Sequence, residues 1–332
     1  MSKSLSRPIL ILVDHSGSDA EGWSLSPASA QLVSHARTLS DAGVIVLSLT
    51  KNADLEALGR LGVSRVLVPS IGESAPRVSA CVADAVIAAL EAQDFGAFLV
   101  VSTYRGREVA SRIATLMDSG VVADATDLEV EDDSLIATTT ALAGSWSNRL
   151  LVSGVLPVAA VRPRSFDETP AQEPVAAAIE EIQVTPSREA LAVEVLSSSV
   201  QAGSGRISLS EASTVVVAGR GTNGEMDIVE SLADELGAAI GATRVVCDEG
   251  WASRTLQIGQ TGVSVSPNLY IGLGVSGAIH HTVGMQSSGH IIAVCDDPDA
   301  PIFEIADFGV VGDLFDVVPQ ALEAIRAARE EN

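Results

Sequence analysis

The sequence has 332 residues, a formal net charge of −23, 47% hydrophobic residues and a mean hydropathy of +0.32. Such acidity repels a nucleic-acid backbone, and the apolar content is too high for a disordered chain. No apolar run approaches the about 18 residues of a membrane span, and the opening MSKSLSRPILILVDHSG reads as a first strand, not a signal peptide, so the expected location is cytoplasmic.

The length suits two domains, each with its own core. Residues 8–14, PILILVD, read as a buried strand, and a helix follows over 26–39 with Pro27 near its start. Apolar strands are expected at 44–49, 64–68 and 97–102, with helices at 54–61, 75–93 and 106–118 between and after them. Strands alternating with helices at this spacing imply a parallel sheet covered on both faces. The pattern then changes. Segments 124–130 and 135–141 read as strands paired around the acidic turn Glu131-Asp132-Asp133, and 157–162 reads as a further strand. The stretch 166–174 is expected to be an exposed loop. Segments 177–184 and 190–196 have the alternating look of strands that could rejoin the first sheet.

The segment 197–208, SSSVQAGSGRIS, is serine- and glycine-rich and nearly uncharged, which marks a linker. The domains are therefore drawn as 1–200 and 201–332. A second α/β pattern follows: strands at 214–218, 243–247, 269–273 and 290–294, helices at 225–236 and 313–328.

The stretch Gln257–Ala278, QIGQTGVSVSPNLYIGLGVSGA, surrounds the strand at 269–273 with glycines, which let backbone approach a ligand closely. A helix beginning after that strand would turn its free N–H groups toward an anion. Upstream, VVVAGRG places Gly219-Arg220-Gly221 at the end of another strand, where doubly wound sheets form their crevice. It is not GxGxxG, so the nicotinamide fingerprint is absent. From Thr214 onward the only basic residues are Arg220, Arg244, Arg254, Arg326 and Arg329. Each alone reads as an ordinary surface ion pair, but three fall in or just before the glycine-rich region, where a phosphorylated ligand needs them. Gln260 and Thr261 offer hydrogen bonds to a heteroaromatic ring, or form a plain polar turn. His280 and His281 are ordinary helical histidines or, beside a bound anion, a charge-stabilising group with a raised pKa. The loop 296–303 is an acidic wall of the crevice or a surface loop. Ser276, in GVSGA, departs from the GxSxG elbow, and no nucleophile–base pair stands out. Cys81, Cys247 and Cys295 lie far apart, and with no zinc signature and no P-loop, no metal is expected.

Together these blocks resemble the electron transfer flavoprotein alpha subunit family. The specific match runs from about Thr214 to Val318 through AGRG, LADELGAAIGATR, QIGQTG, PNLYIGLGVSGAIHH and DPDAPIFEIADFGVVGDLFDVVP; the N-terminal half matches more loosely through 106–114 and VAAVRPRSF at 158–166. The resemblance implies an adenine nucleotide alpha hydrolase-like parallel sheet in the N-terminal domain and a doubly wound, DHS-like FAD-binding C-terminal domain. It implies that Arg220 holds the diphosphate region and that Arg244 lies over the isoalloxazine and favours negative charge on it. Thr261 would bond near flavin N5, with Ile258, Gly259 and Gln260 lining the ring. Ser276, Gly277, Ala278 and Ile279 would bind the diphosphate and ribityl region. His281 would approach the ring's carbonyl edge, and Asp313 and Leu314 would lie near the adenosine. Arg244, Thr261 and His281 are then the residues that tune the flavin. Thr243 stands where the family often has serine, His280 where it often has glutamine, and Cys295 where it often has asparagine.

What the resemblance implies is an electron carrier rather than an enzyme with its own small substrate. It would pair with a beta subunit as a heterodimer, its N-terminal α/β domain, residues 1–200, contacting that partner. Electrons would come from flavin dehydrogenases such as the acyl-CoA dehydrogenases of fatty acid β-oxidation and pass to a membrane quinone oxidoreductase. The alternative is a nucleotide-sensing or structural binding module with no redox role.

Overall fold

A computed structural model describes residues 3–18, 22–72, 75–142, 146–197 and 207–330. The chain divides into two compact units, one of residues 1–141 and 147–200 and the other of 142–146 and 201–332. Of the expected linker, residues 198–206 lie outside the described residues. No helix among the described residues is long and apolar enough to cross a membrane.

The first unit runs β1 (Ile9–Val13), β2 (His15–Ser18), β3 (Gly22–Leu25), α1 (Pro27–Ala36), β4 (Val44–Ser48), α2 (Leu55–Arg60) and β5 (Arg65–Ser70). It continues with α3 (Ser79–Ala92), β6 (Ala97–Val101), α4 (Tyr104–Leu116), β7 (Val121–Ala125), β8 (Asp127–Glu131) and β9 (Ser134–Ala141). β10 (Trp146–Leu151), β11 (Val158–Val161), β12 (Ala178–Gln183) and α5 (Arg188–Leu191) complete it. Seven strands form one parallel sheet in the order β12-β5-β4-β1-β6-β11-β7. A strand in the middle of such a sheet is apolar at every position, because both faces are covered. β1 shows this: Ile9, Ile11 and Val13 enter one core while Leu10 and Leu12 enter the core on the opposite face. Side-chain caps start the helices: Ser26 accepts from the Ser29 N–H, Asp54 from Ala57 and Thr103 from Gly106.

Two expectations change here. The strand foreseen over 124–130 is two strands that part at Thr126, β7 ending at Ala125 and β8 beginning at Asp127. β7 joins the large sheet beside β11, whereas β8 pairs antiparallel with β9. The second expected strand at 190–196 is instead the short helix α5 followed by irregular chain. The Ser187 hydroxyl accepts from the Ala190 N–H and starts that helix. Segment 177–184 does return to the first sheet, as β12 parallel to β5.

The second unit runs β13 (Thr214–Ala218), α6 (Met226–Leu236), β14 (Ala239–Ala242), α7 (Arg244–Asp248), β15 (Leu269–Leu273), α8 (Ile279–Thr282), β16 (His290–Cys295), β17 (Phe308–Val311) and α9 (Leu314–Glu330). Its five strands are all parallel, in the order β14-β13-β15-β16-β17. The expected strand over 243–247 is a correction: the strand lies at Ala239–Ala242, and Arg244–Asp248 is helical. β14 carries a glycine at 241 because the Ile258 and Val217 side chains fill the space where its Cβ would sit. Register places the carboxyl ends of the strands level. Ala218 lies opposite both Ala242 and Leu273, Leu273 opposite Val294, and Cys295 opposite Val311. Residues from five distant stretches of sequence thus reach one edge of one sheet.

Candidate functional site at the carboxyl edge of the second sheet

The strand order reverses between β13 and β15, with β14 to one side and β16 and β17 to the other. Ligands of doubly wound sheets bind at such a switch point, outside the carboxyl ends of the strands. Here the loops after the two strands touch backbone to backbone. The Gly221 N–H donates to the Gly274 carbonyl at 3.1 Å, and the Gly219 N–H to the Leu273 carbonyl at 2.8 Å. A Cβ on Gly274 would sit 2.6 Å from the Gly221 Cα, and Gly274 has φ 64°. Only glycine meets both demands.

Two further segments complete the walls. The Ile258 N–H donates to the Ala242 carbonyl at 2.9 Å, which anchors the GQTG turn to the end of β14. The Gln260 N–H donates to the His280 carbonyl at 2.7 Å, and the Gln260 and His280 side chains are joined at 2.7 Å between Oε1 and Nδ1. Gly259, with φ 136°, leaves room for the His280 carbonyl. The cavity between these segments has a volume of about 330 Å³.

The cavity collects most of the sequence-derived site residues. Arg220, Thr243, Arg244, Ile258, Gln260, Thr261, Ser276, Gly277, Ala278, His280 and His281 all line it. Val245, Gln257 and Val275 line it too; Gln257 lies in QIGQTG and Val275 in GVSGA, but none of the three is among the expected site residues. Other expected residues are placed differently. Gly259 shapes the turn through its backbone, and Ile279 is 62% exposed at the start of α8. The Cys295 and Leu314 side chains are buried in the two cores on either face of the sheet. The Asp313 carboxylate caps α9, accepting from the Phe315 N–H at 2.9 Å. Cys295 and Asp313 nonetheless follow the same edge, at the ends of β16 and β17. Strands about 4.8 Å apart put the ends of β14 and β17 about 19 Å from one another.

Among the described residues no carboxylate lines the cavity, although the chain carries 43 Asp and Glu. Its polar groups are two guanidiniums, three hydroxyls and amide or imidazole groups, set against the apolar Val245, Ile258 and Val275. This donor-rich set beside apolar walls fits a phosphorylated heteroaromatic compound. Arg244 donates through Nε to Asp248 at 3.3 Å, and Arg254 donates to the same carboxylate at 2.6 Å. Arg220 carries no ion pair among the described residues. α8 has only four residues, so the anion-holding helix start expected after β15 is at most a single turn.

His281 is only 6% exposed. Its Nδ1 lies 3.1 Å from the Ile258 carbonyl and its Nε2 2.8 Å from the hydroxyl of the fully buried Tyr270. A carbonyl can only accept, so Nδ1 carries the proton and Nε2 accepts from Tyr270. Burial pushes the His281 pKa down to about 4. This is opposite to the raised value expected beside an anion, because the ring is enclosed and both nitrogens are engaged within the protein.

A larger groove, about 830 Å³, runs between α3 and α4 of the first unit with Ala83, Ile87, Leu90 and Leu116 in its walls. It lies on helix faces instead of strand ends, and its Arg112 is paired with Glu108 at 3.3 Å. The smaller cavity is the better site.

Comparison with known proteins identifies the domain that carries this cavity. Residues 208–286 match the model of the electron transfer flavoprotein FAD-binding domain, and residues 16–187 that of the electron transfer flavoprotein domain. The chain is 36% identical over 325 residues to the electron transfer flavoprotein subunit alpha of Mycobacterium leprae (strain TN), covering 96% of this chain and 98% of the relative. It is 40% identical over 235 residues to the subunit of that name from Syntrophomonas wolfei subsp. wolfei, covering 69% of this chain and 72% of the relative. The Bacillus subtilis (strain 168) subunit is 35% identical over 226 residues, covering 68% of this chain and 69% of the relative. The cofactor of the second domain is FAD, and the chain belongs to the electron transfer flavoprotein alpha subunit family.

Proposed function

We propose that this chain is the FAD-holding subunit of a heterodimeric electron carrier in the cytoplasm. The observation that carries the reading is the carboxylate-free, arginine-bearing cavity at the switch point of a strongly acidic chain. Arg220 and the backbone of Ser276–Ile279 would hold the diphosphate and ribityl regions. Arg244, Ile258, Gln260 and Thr261 would surround the ring, with Asp313 toward the adenosine. The flavin supplies the electron chemistry when bound. The protein's part is to bind it, to orient its ring against Ile258 and Thr261, and to set the local charge through Arg244.

The carrier would be built from residues 1–200, contacting a beta subunit, and 201–332, holding FAD. It would accept electrons from flavin dehydrogenases, including acyl-CoA dehydrogenases of fatty acid β-oxidation, and deliver them to a membrane quinone oxidoreductase. It would turn over no small substrate of its own. The test is anaerobic mixing of the FAD-loaded heterodimer with a catalytic amount of acyl-CoA dehydrogenase and its acyl-CoA. Loss of the visible flavin band, dependent on the dehydrogenase, is expected. An unbleached flavin would contradict the donor assignment, and turnover of a small molecule without any donor protein would contradict the carrier role.

A further inference from the structure

Thr261 is joined to Arg254 through a buried glutamine. The Gln257 side chain is only 4% exposed, and its Nε2 donates to the Thr261 hydroxyl at 2.9 Å. At its other end, Arg254 Nη1 lies 3.4 Å from Gln257 Oε1. Arg254 in turn is held by Asp248 at 2.6 Å, the carboxylate that also holds Arg244. The backbone fixes the spacing, because the Val263 N–H returns to the Gln257 carbonyl at 2.7 Å and closes the turn that carries Thr261.

The direction of these bonds follows from chemistry. A guanidinium has donors and no acceptor, so it selects the oxygen end of the Gln257 amide. The nitrogen end is then left for Thr261. A hydroxyl oxygen that accepts from Gln257 keeps its own proton to donate, and Thr261 lines the cavity. With the amide reversed, Thr261 would spend its proton on Gln257 and face the cavity as an acceptor only. We propose that Arg254, acting through Gln257, sets the Thr261 hydroxyl as a hydrogen-bond donor into the cavity. Arg254, which does not line the cavity, is thus a positioning residue, and Gln257, which does line it, passes the effect on to Thr261. The proposal rests on the flavin reading of this cavity, in which the ligand offers Thr261 an acceptor nitrogen or oxygen. Oxidised isoalloxazine has such acceptors along its ring edge.

The two effects of Arg254, its charge and its control of polarity, separate in a double-mutant cycle. The heterodimer would be loaded with FAD carrying 15N in the ring, in the wild type and in Arg254→Met, Thr261→Val and the double variant. Arg254 is a largely exposed side chain in a single 3₁₀ turn, so its replacement should spare the fold; Gln257→Met provides a second break in the same chain. Arg254→Met and Gln257→Met should each move the same ring-nitrogen resonance in the same direction as Thr261→Val. Each should weaken FAD binding roughly fivefold, the scale of one hydrogen bond. In the Thr261→Val background, Arg254→Met should add little, and Arg254→Lys should retain most of the wild-type shift. Additive effects of Arg254→Met and Thr261→Val, or a nitrogen that moves only in Thr261→Val, would overturn the relay while leaving the flavin site intact. No change in Thr261→Val itself would overturn both the relay and the placing of Thr261 at the flavin.

Discussion

His281 shows how packing decides a residue's chemistry. The same imidazole in water takes a proton near pH 6.5, whereas enclosed between Tyr270 and the Ile258 carbonyl it does so only near pH 4. Between these values the unfolded chain binds the proton and the folded chain does not. Folding stability therefore falls as pH drops through this window and is fully retained above it. The shift corresponds to about 3 kcal/mol of lost stability by pH 4. His281→Asn should remove that pH-dependent part. Urea unfolding at pH 7 and pH 4.5 should show a smaller loss in the variant than in the wild type. Equal losses would mean that His281 is not the neutral, enclosed group described. The sequence pointed to this histidine through its place after GVSGA, but not to its charge. The charge depends on Tyr270, eleven positions back on β15 and facing it only after folding.

At the scale of elements, legibility follows burial on both faces. β13 and β15 are continuous apolar runs and could be read to their ends, Thr214–Ala218 and Leu269–Leu273. β14 could not, since three of the four residues of AIGA are the weak strand formers Ala and Gly, while the β-branched pair Val245-Val246 just beyond it lies in α7. What makes AIGA a strand is its partner β13 and the Ile258 side chain over Gly241, both tertiary. This misreading left the site nearly untouched, because Thr243 and Arg244 reach the carboxyl edge with the strand ending just before them. The contact between the loops after β13 and β15 is the element on which the cavity depends. Gly274→Ala would place a Cβ against the Gly221 backbone at a left-handed φ. The combined strain and overpacking should cost about 2–4 kcal/mol and weaken FAD binding. Chemical denaturation measures the first and cofactor titration the second. A change below about 0.5 kcal/mol, as for a neutral surface substitution, would contradict the tight loop contact.

Over the whole molecule, a net charge of −23 makes the arginine-bearing edge of the second sheet an exception to its surroundings. An acidic chain repels phosphates in general, so binding one requires cations placed where carboxylates are kept out. Parallel strands in register achieve this by bringing Arg220, Arg244 and Ser276 to one edge from separate stretches of sequence. Glycines and arginines after apolar runs made this edge visible in the sequence. The supporting residues Asp248 and Gln257 were not, because their roles arise from partners that only the fold supplies. The most direct test of the account is the FAD content of the chain purified with its beta subunit, read from the visible spectrum. The wild-type heterodimer should carry stoichiometric FAD, and the double variant Arg220→Ala, Thr261→Val should lose most of it while remaining folded. A wild-type complex without flavin, or a double variant that keeps its full complement, would contradict the proposed site.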